Sequence, residues 1–167
     1  LCVLFVTIMK YIIRDAEAKD MAQVHKLIQE LAVFEKEDNA VEVTVEDLKR
    51  DGFDTDKLFH CYVAETDGDV VGMALLYSRY STWKGPIIHL EDLIVTEAMR
   101  GSGLGAALLA KVVEHGYQLG VKRISWEVLD WNDPAISFYE SKGARVLRDW
   151  NVVHLDEKGI KTFLNKL

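Results

Sequence analysis

The chain has 167 residues, 49% of them apolar and 28% charged, with a formal net charge of −7. That length fits one domain with a sizeable core, and the acidic balance excludes a general nucleic-acid binder while suiting a cationic partner. Two cysteines, Cys2 and Cys61, argue against a disulfide scaffold, and a reducing, cytoplasmic setting fits.

Leu1 to Ile8 is almost wholly apolar but far short of the ~20 residues that span a bilayer, and it lacks the flanks of a signal peptide. No membrane association is expected. Met9-Lys10 looks like a natural start. Residues 1–8 are therefore expected to be an upstream extension outside the fold, with an extra edge strand as the alternative, and residues 9–167 to form the single domain.

Tyr11 to Arg14 reads as a short strand. An acidic lead-in, Asp15 to Asp20, opens an amphipathic helix carrying Met21, Val24, Leu27, Ile28 and Leu31 and ending near Phe34 or Glu35. A second helix starts at Thr44, with Asp47 three residues on as in a capping box, and is expected to end at a Gly52 turn. Phe59 to Ala64 is a strand, Asp67-Gly68 a hairpin turn, and Val70 to Tyr80 the returning strand. After the Ser81 to Pro86 loop comes Ile87 to Val95, a strand interrupted by Glu91 and Asp92.

A glycine-rich turn, Arg100-Gly101-Ser102-Gly103-Leu104-Gly105, leads into a helix with Leu104, Leu108 and Val112 in one row. That helix stops near Gly116 to Gly120, and Arg123 to Leu129 is expected to return as a strand parallel to the previous one. Asn132 or Asp133 then caps a helix with Pro134 at its first position, closing at Gly143. Val152 to Leu155 is expected as a last strand before a short C-terminal helix. The architecture is α/β with a mixed sheet, antiparallel in its first half and parallel across the glycine turn.

Glycines at the start of a helix let backbone N–H groups approach an anion where four donors lack internal partners and the macrodipole is positive. Three phosphorylated ligands compete for this turn. A triphosphate loop needs Gly-Lys-Ser/Thr, which is missing. A dinucleotide fingerprint fits Gly101-x-Gly103-x-x-Ala106, with Glu127 about 20 residues further on. Against an oxidoreductase stand its mid-chain position, which leaves too little chain for six parallel strands, and the carboxylates feeding the turn. The third is coenzyme A, with its diphosphate on the amides of Gly101 to Gly105 and Arg100 nearby.

Arg100-x-x-Gly103-x-Gly105 resembles the Q/R-x-x-G-x-G/A signature of the GNAT N-acetyltransferases, and Asn132-x-x-Ala135-x-x-Phe138-Tyr139 resembles their second signature. Glu30-Leu31-Ala32-x-Phe34-Glu35, Glu46-Asp47-Leu48, Asp51-Gly52-Phe53 and Leu90-Glu91-Asp92 are similar to the spermidine/spermine acetyltransferase branch. Ser81 to Gly85 and Val128 to Asn132 lean towards the thialysine-acetylating members. The resemblance implies a central twisted mixed sheet flanked by helices, acetyl-CoA as co-substrate, no metal, a small cationic amine as acceptor and a homodimer. Arg145 to Trp150 is shorter than in the polyamine enzymes, so a substrate contact carried there cannot be placed. A non-catalytic CoA-binding sensor of the same fold is the competing class.

The resemblance also implies roles. Cofactor contacts would come from Leu93, Ile94, Val95, Arg100, Gly101, Ser102, Gly103, Leu104, Gly105, Ala106, Asn132, Pro134, Ala135 and Tyr139. Only about one primary alkylamine in 10³ is neutral at pH 7, so the acceptor needs a base, for which Glu91 is the candidate, acting through water. Tyr139 is the candidate general acid for the departing sulfur. Asp92 is a candidate amine contact, on the opposite strand face if the strand is regular, or re-aimed if it bulges, as the resemblance implies. Glu30, Trp83, Trp126 and Glu127 are candidate acceptor-site walls. Plainer alternatives are a solvated helix face for Glu30, a solvated strand residue or structural ion pair for Glu91, ordinary strand pairing for Leu93 and Val95, a surface aromatic for Trp83, a packed aromatic for Tyr139 and a simple helix cap for Asn132. The five histidines show no metal spacing and are expected to be structural or exposed.

Overall fold

A computed structural model describes residues 11–167, so the expectations for residues 1–8 and for Cys2 lie outside the described residues. The chain divides into two units, one running to Glu127 and the other from Val128 to Leu167.

The first unit is built on five strands in spatial order β1 (Ile12–Asp15), β2 (His60–Thr66), β3 (Asp69–Ser81), β4 (Gly85–Val95) and β5 (Ile124–Ser125). The first three pairings are antiparallel and β4 to β5 is parallel. Local chemistry sets these directions. Asp67 (φ 51°) and Gly68 (φ 90°) both take positive φ, the two-residue turn that matches the twist of a tight hairpin. A parallel return requires a crossover, supplied by α3 (Leu104–Gln118). With only one parallel pair among the described residues, this is not the doubly wound sheet of a dinucleotide fold.

Two helices, α1 (Met21–Phe34) and α2 (Val45–Phe53), cover one face, where Met21, Val24, Leu27 and Leu48 pack with Cys61, Val63, Met73, Leu75 and Ile94. Helix α3 covers the other; a Cβ on Gly72 of β3 would lie 3.2 Å from Leu108. Arg14 ties the first strand to the α1 lead-in and to β2: its guanidinium bonds Asp20 (2.6 Å) and Glu65 (2.7 Å). This pairing holds the buried Asp20 carboxyl below its usual range. Cys61 is a free thiol that burial pushes up to about 12, which makes it inert.

Three expectations are corrected here. Gly52 does not end α2; the helix continues to Phe53, and Gly52 is needed because a Cβ would sit 2.6 Å from the Phe59 ring. The strand expected over Arg123 to Leu129 shrinks to Ile124–Ser125, which pairs only with Ile88 and His89. Val152 to Leu155 forms no strand. Its apolar pattern suits a ladder, but a strand exists only where another edge pairs with it, and none does among the described residues.

The second unit holds α4 (Asp133–Ser141) and α5 (Glu157–Leu164). The Asn132 side chain accepts from the Ala135 N–H at 3.3 Å, Pro134 sits in the first turn, and Gly143 takes φ 88° just past the end of α4. Asp156 caps α5 in the same way, at 2.6 Å to the Gly159 N–H.

Candidate active site

The site is organised on β4 and the turn that follows it. Along the ladder Leu75 pairs with Asp92 but Leu76 pairs with Leu90, so Glu91 is the extra residue of a β-bulge. The bulge resets the alternation. Asp92 now shares a face with Leu75 and Ile94, the face that carries α1 and α2, instead of facing away as a regular strand would have it. Glu91 is exposed, and its carboxylate lies 3.6 Å from His89 Nε2. Burial, then the nearby charges of Glu91 and Glu35, push the Asp92 carboxyl up to about 6. Glu35 itself is raised, by burial first and by Glu37 second.

β5 pairs with β4 only at Ile88 and His89, so beyond that point no strand among the described residues pairs with this side of β4. Leu93, Ile94 and Val95 pair with Ala74, Met73 and Gly72 on the β3 side. The stretch from the bulge to the glycine turn therefore has no strand partner on this edge among the described residues, where the Val95 carbonyl accepts from Arg100.

After Val95 a short 3-10 turn, Glu97–Met99, leads to Arg100. Gly101 (φ 76°) and Gly103 (φ 88°) take left-handed conformations, and a Cβ at either would meet nothing within 4 Å. These glycines are needed for backbone shape, and they leave the amides uncovered. Gly103 is the N-cap of α3 and supplies no side-chain cap, so the N–H groups of Leu104, Gly105 and Ala106 lack intrahelical partners; the first intrahelical bond is from Ala107 N–H to the Gly103 carbonyl, at 3.1 Å. Ser102 donates its hydroxyl to the Met99 carbonyl at 2.6 Å, which braces the turn. Uncapped amides at a positive helix end, on a loop with open space above its glycines, fit a diphosphate such as that of coenzyme A.

The carboxylate of Glu30, on α1, is occupied by this turn. It accepts from the Thr96 hydroxyl and from the Glu97 N–H, each at 2.9 Å, and lies 3.6 Å from Arg100. Arg100 also donates to the Val95 carbonyl at 3.3 Å and lies over the Phe34 ring. Glu30 thus anchors the turn. Trp83 is 77% exposed at the tip of the β3–β4 hairpin, six ladder residues from the bulge, and is not brought together with Glu91. Glu127 follows β5 and raises both Tyr77 and His89, which places its charge near the β4 acidic cluster. Trp126 beside it is half-buried.

In the second unit Tyr139 is buried on α4, its ring 5.3 Å from that of Phe138, and burial raises its phenol above the ordinary value. Ala135 is half-buried and Pro134 exposed on the same helix.

Two residues near the acidic strand were not singled out by the sequence. His89 is 6% exposed, which fits a structural histidine, but its place beside Glu91 was not read from the sequence. The signal was available, because His-x-Glu spacing in a strand puts both residues on one side. Glu35 has no such signal; only the tertiary packing brings its charge to Asp92. Among the described residues no group of three or more His, Cys, Asp or Glu is placed to hold a metal, and no helix is long and apolar enough to cross a membrane.

The sequence profile of the Acetyltransferase (GNAT) family matches residues 21–144. The chain is 36% identical over 165 residues to thialysine N-epsilon-acetyltransferase of Bos taurus, covering 92% of this chain and 97% of that protein. It is 37% identical over 150 residues to human spermidine/spermine N(1)-acetyltransferase-like protein 1, covering 86% of this chain and 22% of that longer protein. Among solved structures, an integron cassette protein from the mobile metagenome of V. cholerae superposes with a TM-score of 0.76 at 20% identity, covering 93% of this chain and 98% of that one. An aminoglycoside acetyltransferase from a soil metagenomic sample superposes with a TM-score of 0.69 at 18% identity, covering 86% and 97%; both likenesses concern the fold alone. A mixed five-stranded sheet with flanking helices, an uncapped glycine turn after a bulged acidic strand, and these matches together make the chain a member of the GNAT acetyltransferase family.

Proposed function

We propose that this acetyltransferase moves an acetyl group from acetyl-CoA to the primary amine of a small cationic molecule, a polyamine, a diamine or a thialysine-like amino acid. The observation that carries the reading is the β4 bulge, which places Glu91 and Asp92 beside an unpaired strand edge directly upstream of the glycine turn. The names of the relatives, for thialysine and for spermidine/spermine, agree with such an acceptor.

Bound acetyl-CoA supplies an acyl group activated as a thioester. The amides of Gly101 to Ala106, with Arg100, hold its diphosphate, and the free edge at Leu93, Ile94 and Val95 offers backbone partners to its pantetheine arm. Asn132, Pro134 and Ala135 join this set on the strength of the second signature. The acceptor arrives as an ammonium, drawn by the charges of Asp92 and Glu91. Glu91 takes its proton through water, and the neutral nitrogen attacks the acyl carbon. The new N–C bond replaces the C–S bond, Tyr139 gives its phenol proton to the departing sulfur, and the proton shed by the new amide nitrogen returns through water to the Tyr139 phenolate. A raised phenol keeps that proton available at neutral pH. Trp126 and Glu127 border the acceptor side, whereas Glu30 acts by anchoring the turn.

The test is mass spectrometry of products after incubation with acetyl-CoA and spermidine, putrescine or thialysine. A product heavier by one acetyl group on a primary amine is expected. Acetyl-CoA binding without any such product would make the chain a CoA-binding sensor, and nicotinamide-dinucleotide binding in its place would point to an oxidoreductase.

A further inference from the structure

His89 is buried in the sheet, 6% exposed. Its Nε2 lies 3.6 Å from the Glu91 carboxylate and its Nδ1 lies 3.4 Å from the Ser125 hydroxyl on β5. The Tyr77 ring of β3 packs against it, centroids 5.1 Å apart and planes tilted by 40°. A carboxylate only accepts, so the tautomer that serves both neighbours has the proton on Nε2 facing Glu91 and receives the Ser125 O–H at Nδ1; this tautomer is assigned from the hydrogen-bond partners.

We propose that His89 is the positioning residue of the acceptor base: Ser125 and Tyr77 fix its ring, and its Nε2–H aims the Glu91 carboxylate at the incoming amine. This rests on the acetyltransfer reading given above. The present 3.6 Å is longer than a hydrogen bond, and contacts of this type tighten when substrate is in place. The charged groups around the ring are Glu91 on β4, Arg79 on β3 and Glu127 after β5, with the neutral phenol of Tyr77 alongside. Burial, joined by the Arg79 charge, outweighs the two carboxylates and holds the imidazole below its ordinary range, so it is neutral at pH 7.5 and free to donate to Glu91 without cancelling its charge.

The test compares His89→Phe with His89→Gln, whose amide N–H can replace the Nε2 donor. His89→Phe should lower kcat/KM for the amine about tenfold or more while KM for acetyl-CoA stays within about twofold, and His89→Gln should recover most of that loss. Equal loss in both variants, or no loss in His89→Phe at unchanged melting temperature, would overturn the proposal. A second readout needs no turnover. In an NMR titration of the full-length protein, Glu91→Gln should lower the His89 pKa, because the removed charge supports the imidazolium. An unmoved His89 titration would also overturn it. If the wild-type protein acetylates none of the amines, the proposed function fails, and the titration still decides whether Glu91 and His89 are coupled.

Discussion

A carboxylate whose proton is held up to about 6 in the folded chain works against folding at neutral pH, and Asp92 is such a group. The sign follows from linkage. An unfolded Asp ionises near ~3.9, so the penalty is absent below about pH 4 and complete above about pH 6. Asp92→Asn should therefore stabilise the protein by roughly 1–3 kcal/mol at pH 7.5 and leave it unchanged at pH 4. The same variant should raise KM for the amine about tenfold, since the charge that destabilises the fold is the one that attracts the ammonium. Thermal melts at the two pH values, with amine kinetics, check both halves. Wild-type amine affinity should likewise fall as pH drops through about 6, where Asp92 takes up its proton. For Tyr139 the prediction concerns rate: Tyr139→Phe should lower kcat at least about tenfold with little change in acetyl-CoA KM, because only the proton on the departing sulfur is lost. Steady-state kinetics against both substrates would show it, and an unchanged kcat would remove Tyr139 from the mechanism.

At the scale of elements, two glycines separate fold from function. Gly52 lies inside α2 against Phe59, and Gly103 caps α3 with open space around it. Gly52→Ala should cost roughly 1–3 kcal/mol through overpacking and leave acetyl-CoA affinity unchanged. Gly103→Ala should cost about 1 kcal/mol, for a side chain at φ 88°, but weaken acetyl-CoA binding several-fold by shifting the amides. Melting curves with calorimetric titration of acetyl-CoA distinguish the two. This contrast also marks what the sequence could tell. Hairpin, glycine turn and α3 were legible because their residues have local conformational reasons: Asp67-Gly68 for the turn, Gly101 and Gly103 for left-handed backbone, Leu104, Leu108 and Val112 for one buried face. Gly52 was misread because its reason is a neighbour seven residues away. The bulge at Glu91 has no local signature in the alternation, so plain alternation put Asp92 on the wrong face; the resemblance alone anticipated it.

At the scale of the molecule, the mixed sheet, its antiparallel meander and its parallel return followed from short turns and one helical crossover, and the family match from two signatures in sequence; the place of β1 beside β2 was not read. The short β5 and the missing strand at Val152 to Leu155 did not follow, because a ladder needs a partner edge that no local pattern reports. His89, Ser125 and Glu127 come to the acidic strand only through the β4–β5 pairing, so their grouping was hidden in the linear chain. The homodimer remains an expectation of the resemblance, for light scattering to check. The central claim is that the glycine turn holds an acyl carrier while the bulged strand receives an amine. It is tested most directly by following release of free CoA thiol from acetyl-CoA, with and without spermidine, putrescine or thialysine. The account predicts release that depends on at least one of these amines; acetyl-CoA left intact in the presence of all three would contradict it.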